Sequence, residues 1–461
     1  MVNRKQNWFR KSFLYGMAVI VSAGTFSCKD DDSSGDSTIP GVETYQVTVH
    51  LNYPGENQPR EGVAIKFENS ISGVIFEGKT GDQGTAVFEV TAGRYDVSVS
   101  ETRVIENKVT VFNGVSGGLV VTEDLTVDIT LTSSTTSQII IKELYNGGCQ
   151  RNDASGAFQR DPYVILYNNS TEPATLENLC FAFVNPFNSN GTNNDYQAGK
   201  LFYDEQGWIP AGMAIWTFRN TITLEPGEQI VVAMQNAIDN TLVHSNSINF
   251  NNSAYYAMYD TGGGFTNATY YPAPAPAIPV DNYLKAHIFP SALGNAWSLS
   301  VSSPAFFIFS TPEGISPADF ATNPANNNLY GTNQQRAKVP VNWILDAIEV
   351  FVYGAANNQK RLTSAVDAGY VELYNQHGFT LYRNVDKAAT EAIAENEGKI
   401  VYSYNMGTVG IDVAGATVNG TTDPSGIDAE ASMKNGALIL YKDTNSSGND
   451  FHQRSKASLR N

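Results

Sequence analysis

Thr44-Tyr45-Gln46-Val47-Thr48-Val49-His50-Leu51 puts an apolar side chain at every second position from Tyr45 to Leu51, the period of a strand with one buried face. Val63-Ala64-Ile65-Lys66-Phe67 and Tyr95-Asp96-Val97-Ser98-Val99 repeat it. Turn residues, Gly81-Asp82-Gln83-Gly84 and Thr91-Ala92-Gly93, separate such runs. Short strands at close spacing predict a small β-sandwich over 44–131. Within it, Gly114-Val115-Ser116-Gly117-Gly118 has the letters of a nucleophile elbow. That motif needs a strand-to-helix turn, and this stretch links strands, so the match is chance.

Upstream, Arg4, Lys5, Arg10 and Lys11 precede an apolar run from Phe13 to Ala23, too short to span a bilayer and of the length of a signal-peptide core. Thr25-Phe26-Ser27-Cys28 then resembles a loose lipobox, which implies cleavage after residue 27 and a lipid on Cys28. Lys29-Asp30-Asp31-Asp32 resembles the Lys-then-acidic export signal of Bacteroidetes lipoproteins. Together they imply an outer-membrane lipoprotein facing the extracellular side. Residues 28–43 are polar and acidic, and form a flexible tether that cannot bury enough surface to fold.

Removing residues 1–27 takes four of the 29 Lys+Arg and none of the 46 acids, which leaves a net charge of −21. No cluster of Lys and Arg survives to release counterions from a phosphate backbone, so nucleic acid is excluded as a partner. The remaining cysteines, Cys149 and Cys180, are expected to pair outside the cytoplasm. His50, His244, His287, His377 and His452 show no ligand spacing, so neither a metal nor another cofactor is expected.

Thr132-Ser133-Ser134-Thr135-Thr136-Ser137 offers no apolar anchor and is expected as the linker, residues 132–137. A second β domain follows over 138–461. Ile139-Ile140-Ile141-Lys142-Glu143-Leu144-Tyr145 and Asp161-Pro162-Tyr163-Val164-Ile165-Leu166-Tyr167-Asn168-Asn169-Ser170 open it. Leu224-Glu225-Pro226-Gly227-Glu228 leads into Gln229-Ile230-Val231-Val232-Ala233. Trp343-Ile344-Leu345-Asp346-Ala347-Ile348-Glu349-Val350 and the loop from Lys442 to Phe451 come later. This order resembles a lamin-tail domain, which implies an immunoglobulin-like sandwich, here enlarged by an insertion at about 236–341. The first domain resembles the prealbumin-like domains of carboxypeptidase-regulatory type, which act as stalks. The whole resembles a family of Bacteroides surface lipoproteins with a domain of unknown function (DUF4876), a label that implies no activity. The fold class expected is mainly β, with one or two short helices. One helix signal runs from Asp386 to Glu397, with Asp386 as its cap.

Long excursions from a β scaffold commonly carry binding surfaces. Tyr255, Tyr256, Tyr259, Tyr270 and Tyr271 surround Gly262-Gly263-Gly264 and precede the stiff strip Pro272 to Pro279. Phenolic rings there suit a sugar face or an iron chelate; the competing reading is that they cover the core of a large loop. Trp208 and Trp216, beside Asp204-Glu205, form a second candidate, weighed against a solvated turn. The Asn-rich loops 185–195 and 443–450 lack the order of a calcium hand, so turn chemistry is preferred.

The function expected is a non-catalytic surface binder of a glycan, iron chelate or peptide, accessory to an outer-membrane TonB-dependent transporter. The alternatives are a structural or adhesive surface protein and a secreted glycan hydrolase, the last requiring two nearby carboxylates in an aromatic cleft.

Overall fold

The computed structural model describes residues 43–460 apart from 56, 70, 73, 106–107, 291–293, 331–333, 408, 414–415 and 420–421. The signal segment and Cys28, Lys29, Asp30, Asp31 and Asp32 lie outside the described residues.

The alternation at 44–51 forms β1 (Thr44–Asn52), with Val47, Val49 and Leu51 buried. β2 (Ala64–Asn69), β3 (Ile75–Lys79), β4 (Thr85–Thr91), β5 (Gly93–Ile105), β6 (Lys108–Val121), β7 (Leu125–Thr130) and β8 (Thr132–Ser137) follow. They build one sheet in the order β4-β1-β7 and another in the order β3-β2-β5-β6-β8. The inward faces meet at Phe67, whose ring stacks on Phe88 and Tyr95 at 5.2 and 4.8 Å. Gly114 lies within β6, and a Cβ there would come within 2.6 Å of Ile129 and Leu131. The glycine therefore serves sheet packing, and no nucleophile elbow exists.

The segment expected as a linker is the strand β8. Its backbone pairs antiparallel with β6 from Thr132↔Asn113 to Ser137↔Lys108. Ladder hydrogen bonds need no apolar side chain, which is why composition misread it. Only Gln138 separates it from the next strand. That residue is buried, and its amide donates to Ser170 Oγ and to the carbonyls of Glu172 and Pro173 at 2.9–3.1 Å.

The second domain contains two six-stranded sheets. Their strands are β9 (Ile139–Tyr145), β10 (Tyr163–Asn168), β11 (Leu179–Phe183), β12 (Ala214–Thr217), β13 (Gln229–Ala233), β14 (Tyr256–Ala257), β15 (Lys285–Ile288), β16 (Ala305–Ser310), β17 (Ile344–Val352), β18 (Val371–Leu373), β19 (Thr380–Arg383) and β20 (Phe451–Arg454). One sheet runs β14-β13-β10-β9-β19-β20, the other β15-β12-β11-β16-β17-β18. The stretch expected as an insertion is partly integral, since β16 lies between β11 and β17.

Ile141, Leu144, Val164, Phe181, Phe306 and Ile348 fill the space between these sheets. Both outer faces are covered as well, which explains why every residue of β9 is buried. The tyrosine-rich stretch covers one end of the first sheet, and residues 427–441 cover the other. A small sheet of Trp208–Gly212, Gln334–Pro340 and Asn327–Tyr330 packs with helix α1 (Pro317–Thr322) over the second.

Full coverage buries charges, which must then be paired. Arg361 Nε and Nη2 donate to Glu349 Oε1 at 3.0 and 2.8 Å, while the Arg361 and Leu362 backbone amides donate to Oε2. Arg336 grips Asp195 with two bonds of 2.6 and 3.0 Å. Arg383 contacts Asp346 and lies 3.5 Å from Asp443 and 3.9 Å from Asp450. The carboxylates of both Asn-rich loops are thus spent on arginines. Lys142 is an exception: it is buried, yet no carboxylate lies within ion-pair distance among the described residues. Its Nζ donates to Gln229 Oε1 at 2.7 Å and sits 5.4–5.7 Å from the ring centroids of Tyr167, Tyr382 and Tyr441. Burial brings its pKa down to about 8, against the opposing pull of Glu430 and Glu143.

Asp386 caps α2 (Lys387–Ala392), accepting from Ala389 N at 3.0 Å. The helix stops short of Glu397 because Ile393 is extended and Asn396 turns its amide onto the Thr390 and Leu438 carbonyls. α3 (Ala429–Lys434) and α4 (Ser447–Asp450) are also short.

Cys149 and Cys180 are free thiols, which corrects the expected disulfide. Cys149 faces Phe158 across a two-residue ladder, whereas Cys180 lies in β11 between β12 and β16. Burial pushes the Cys149 thiol up to about 12 and raises that of Cys180 as well. Among the described residues no helix is long and apolar enough to cross a membrane.

Candidate functional site

Of the tyrosine candidates, one is buried and four are half-buried against the core. Tyr271 is buried, and its hydroxyl donates to the Trp297 carbonyl and accepts from Trp297 N at 3.1 Å. Tyr256, Tyr259 and Tyr270 pack on the central core from outside, and Tyr255 and Tyr259 on the cluster over the first sheet. Burial raises the pKa of Tyr255, Tyr256 and Tyr271, which disfavours the phenolate an iron ligand would need. Tyr271 thus serves the core, while Tyr255, Tyr256, Tyr259 and Tyr270 are half-buried against it.

Trp216 is wholly buried and stacks on Phe265 at 5.7 Å. Trp208 is also buried, packs on Tyr203 at 5.2 Å and donates Nε1 to Gln206 Oε1 at 3.0 Å. Asp204 and Glu205 sit in an exposed turn. Neither tryptophan presents a face to solvent, so this pair is no binding platform. Among the described residues, no three His, Cys, Asp or Glu side chains are grouped to hold a metal ion.

A groove that sequence reading missed lies at the ends of β11, β12, β16 and β17. It consists of two cavities, of about 490 and 460 Å³, with Glu177 and Asn178 in the wall of both. These two residues form the turn that joins Ala174–Leu176 to β11. Asn178 has φ +54°, a left-handed conformation that Asn tolerates better than most residues. The Asn178 carbonyl accepts from Cys180 Sγ at 3.3 Å, which ties the turn to the sheet.

The first cavity is lined by Thr217, Arg219, Lys285 and His287. Pairing of β12 with β15 sets Thr217 opposite Lys285. Thr217 Oγ1 and His287 Nε2 lie 3.0 Å apart. Burial, aided by the Lys285 charge, lowers the His287 pKa to about 4, so its ring is neutral above that pH. Arg219 Nε donates to the Tyr283 carbonyl at 2.7 Å, and its Nη2 lies 3.5 Å from Asp260. Lys285 has no ion-pair partner among the described residues.

The second cavity is lined by Thr311, Glu313, Asn342 and Trp343, besides the shared turn. Trp343 is half-buried, its ring set edge-on against Phe320 at 5.4 Å. Glu177 and Glu313 are exposed and, among the described residues, form no ion pair or hydrogen bond. Thr311 is 4% exposed, yet its hydroxyl has no partner. By contrast, Asn358 bonds the backbone of Val352 and Ala355, and Asn168 that of Glu172 and Leu224. Uncommitted polar groups beside an aromatic ring in a concavity have the composition of a ligand site.

Comparison with known proteins agrees with this fold. Residues 225–405 match the family model described as protein of unknown function DUF4876. No curated protein matches the chain. A DUF4876 family protein from Bacteroides thetaiotaomicron is similar at 20% identity and a TM-score of 0.52, over 88% of this chain and 94% of that one. That likeness carries the fold alone. A DUF3823 family protein from Parabacteroides merdae has 10% identity and a TM-score of 0.16, over 31% of this chain and 67% of its own. The major pilin SpaD from Corynebacterium diphtheriae has 10% identity and a TM-score of 0.18, over 65% of this chain and 92% of its own.

Proposed function

We propose that this protein is a non-catalytic surface lipoprotein, held to the outer membrane through Cys28, that captures a ligand in the groove beside Glu177 and Asn178 and serves an outer-membrane TonB-dependent transporter. The observation that carries the reading is that, among the described residues, Glu177, Glu313 and Thr311 stand uncommitted beside Trp343. Two exposed carboxylates and a buried, unpartnered hydroxyl beside an aromatic ring leave hydrogen-bonding capacity that an external partner can take up. The exposure of both glutamates favours binding over glycan hydrolysis, since a catalytic acid needs an enclosed site to hold its proton.

Three measurements on the native protein test it. A labelled fatty acid is incorporated at Cys28 and lost in Cys28→Ala, and protease added to whole cells digests the chain. Calorimetry of the mature protein against a panel of polar small molecules and oligosaccharides yields at least one ligand that is recovered unaltered. Absence of lipid, protection from protease, or a panel without binders overturns the proposal, and a cleaved ligand moves the protein to the hydrolases.

A further inference from the structure

The two cavities differ in charge. Glu313 lines the one that holds Trp343, Arg219 and Lys285 line the other together with a neutral His287, and Glu177 stands in the wall of both. Among the described residues, none of these glutamates lies within ion-pair distance of Arg219 or Lys285. Arg219 is shared with Asp260 at 3.5 Å, so among the described residues Lys285 is the cation of this recess that has no ion-pair partner. A lysine left without an ion-pair partner in a recess runs against a chain whose net charge is −17. In such a field an anion approaches only where the local groups outweigh the whole.

Trp343 supplies the other half of the argument. An indole face is apolar and electron-rich, and suits the C–H face of a pyranose ring. Carboxylates around it accept from the hydroxyls at the ring's edge. Two neighbouring cavities that share Glu177 and Asn178 in their walls suit a chain of such rings better than a single compact molecule.

Resting on the reading of the groove as a capture site, we infer that its ligand is an oligosaccharide carrying a carboxylate, with one neutral ring face on Trp343 and the carboxylate beside Arg219 and Lys285. A zwitterionic peptide would use the charges without needing the indole face. A neutral oligosaccharide would use the indole without needing the cations.

The test is calorimetric titration of the full mature protein with trigalacturonate, maltotriose and triglycine, at low and high salt. The expected result is binding of trigalacturonate, about tenfold or more tighter than maltotriose, a difference of roughly 1.4 kcal/mol. Its affinity falls as salt rises, because the Arg219 and Lys285 contacts are screened. Lys285→Ala brings trigalacturonate down to the affinity of maltotriose, and Trp343→Ala weakens both sugars. Trp343→Phe keeps the packing on Phe320 and retains part of the affinity, and unchanged melting curves show that the variants are folded. Maltotriose equal to or tighter than trigalacturonate, or triglycine as the ligand bound, overturns the inference and leaves capture in this groove standing. A groove that binds none of the three probes, with other ligands of the panel bound and indifferent to Trp343→Ala, overturns both.

Discussion

Lys142→Met isolates the cost of a cation buried without an acid. The folded chain holds the Lys142 proton up to about pH 8, against a reference pKa of 10.5 for an exposed lysine. Between these values the unfolded state binds more protons, so stability rises with pH in that window. The penalty on the folded state is present in full below pH 8 and gone above the unfolded pKa. A gap of about 2.5 pH units at 1.36 kcal/mol each amounts to roughly 3 kcal/mol. Met has a similar unbranched stem and no charge, but loses the hydrogen bond to Gln229, worth about 1 kcal/mol. The variant should therefore be more stable than the parent by roughly 2 kcal/mol at neutral pH and less stable by roughly 1 kcal/mol at about pH 11, with the curves crossing near pH 10. Urea unfolding of both proteins at several pH values measures this, and groups common to the two cancel in the difference. A difference that stays constant with pH, or a variant less stable at neutral pH, would refute the reasoning.

Arg361→Ala leaves Glu349 buried without its guanidinium and should cost about 3–5 kcal/mol, whereas Arg361→Met combined with Glu349→Leu should recover most of that in chemical denaturation. Asp386→Ala removes the α2 cap and should lower stability by about 1 kcal/mol in the same assay. Maleimide should leave Cys149 and Cys180 unlabelled in the native protein and modify both once urea is added, while a reductant leaves the melting temperature unchanged. Tyr271→Phe should destabilise the domain by about 1–2 kcal/mol through the lost Trp297 contacts, with the affinity of any groove ligand unaltered in calorimetry.

The alternation at 44–51 and the apolar run at 139–145 were legible because strand pairing converts a side-chain period directly into a buried face. Asp386 was equally legible, since a cap acts on its immediate neighbours. Tyr255–Tyr271 were harder to place, because a tyrosine beside glycines and prolines has the same pattern whether its ring turns out to a ligand or in to a second core. The outer face of the first sheet, against which several of these rings pack, exists only in three dimensions. Thr132–Ser137 misled for a related reason: its partner is β6, and main-chain pairing leaves no mark on composition. The groove gave no signal at all. Glu177, Arg219, Lys285, Glu313 and Trp343 stand far apart along the chain, each in an unremarkable turn or strand end. The cysteines misled through compartment reasoning, which says that thiols outside the cytoplasm tend to pair but not that two given thiols can meet.

Nearly every wall of the groove is a turn or strand end, while the packing that holds the domain together lies deeper in the strands. Substitutions at Glu177, Glu313 or Lys285 thus cost little folding energy, as surface changes away from buried networks generally do. The lining of the groove can therefore change while the scaffold stays put, so two chains of this architecture need not share a ligand.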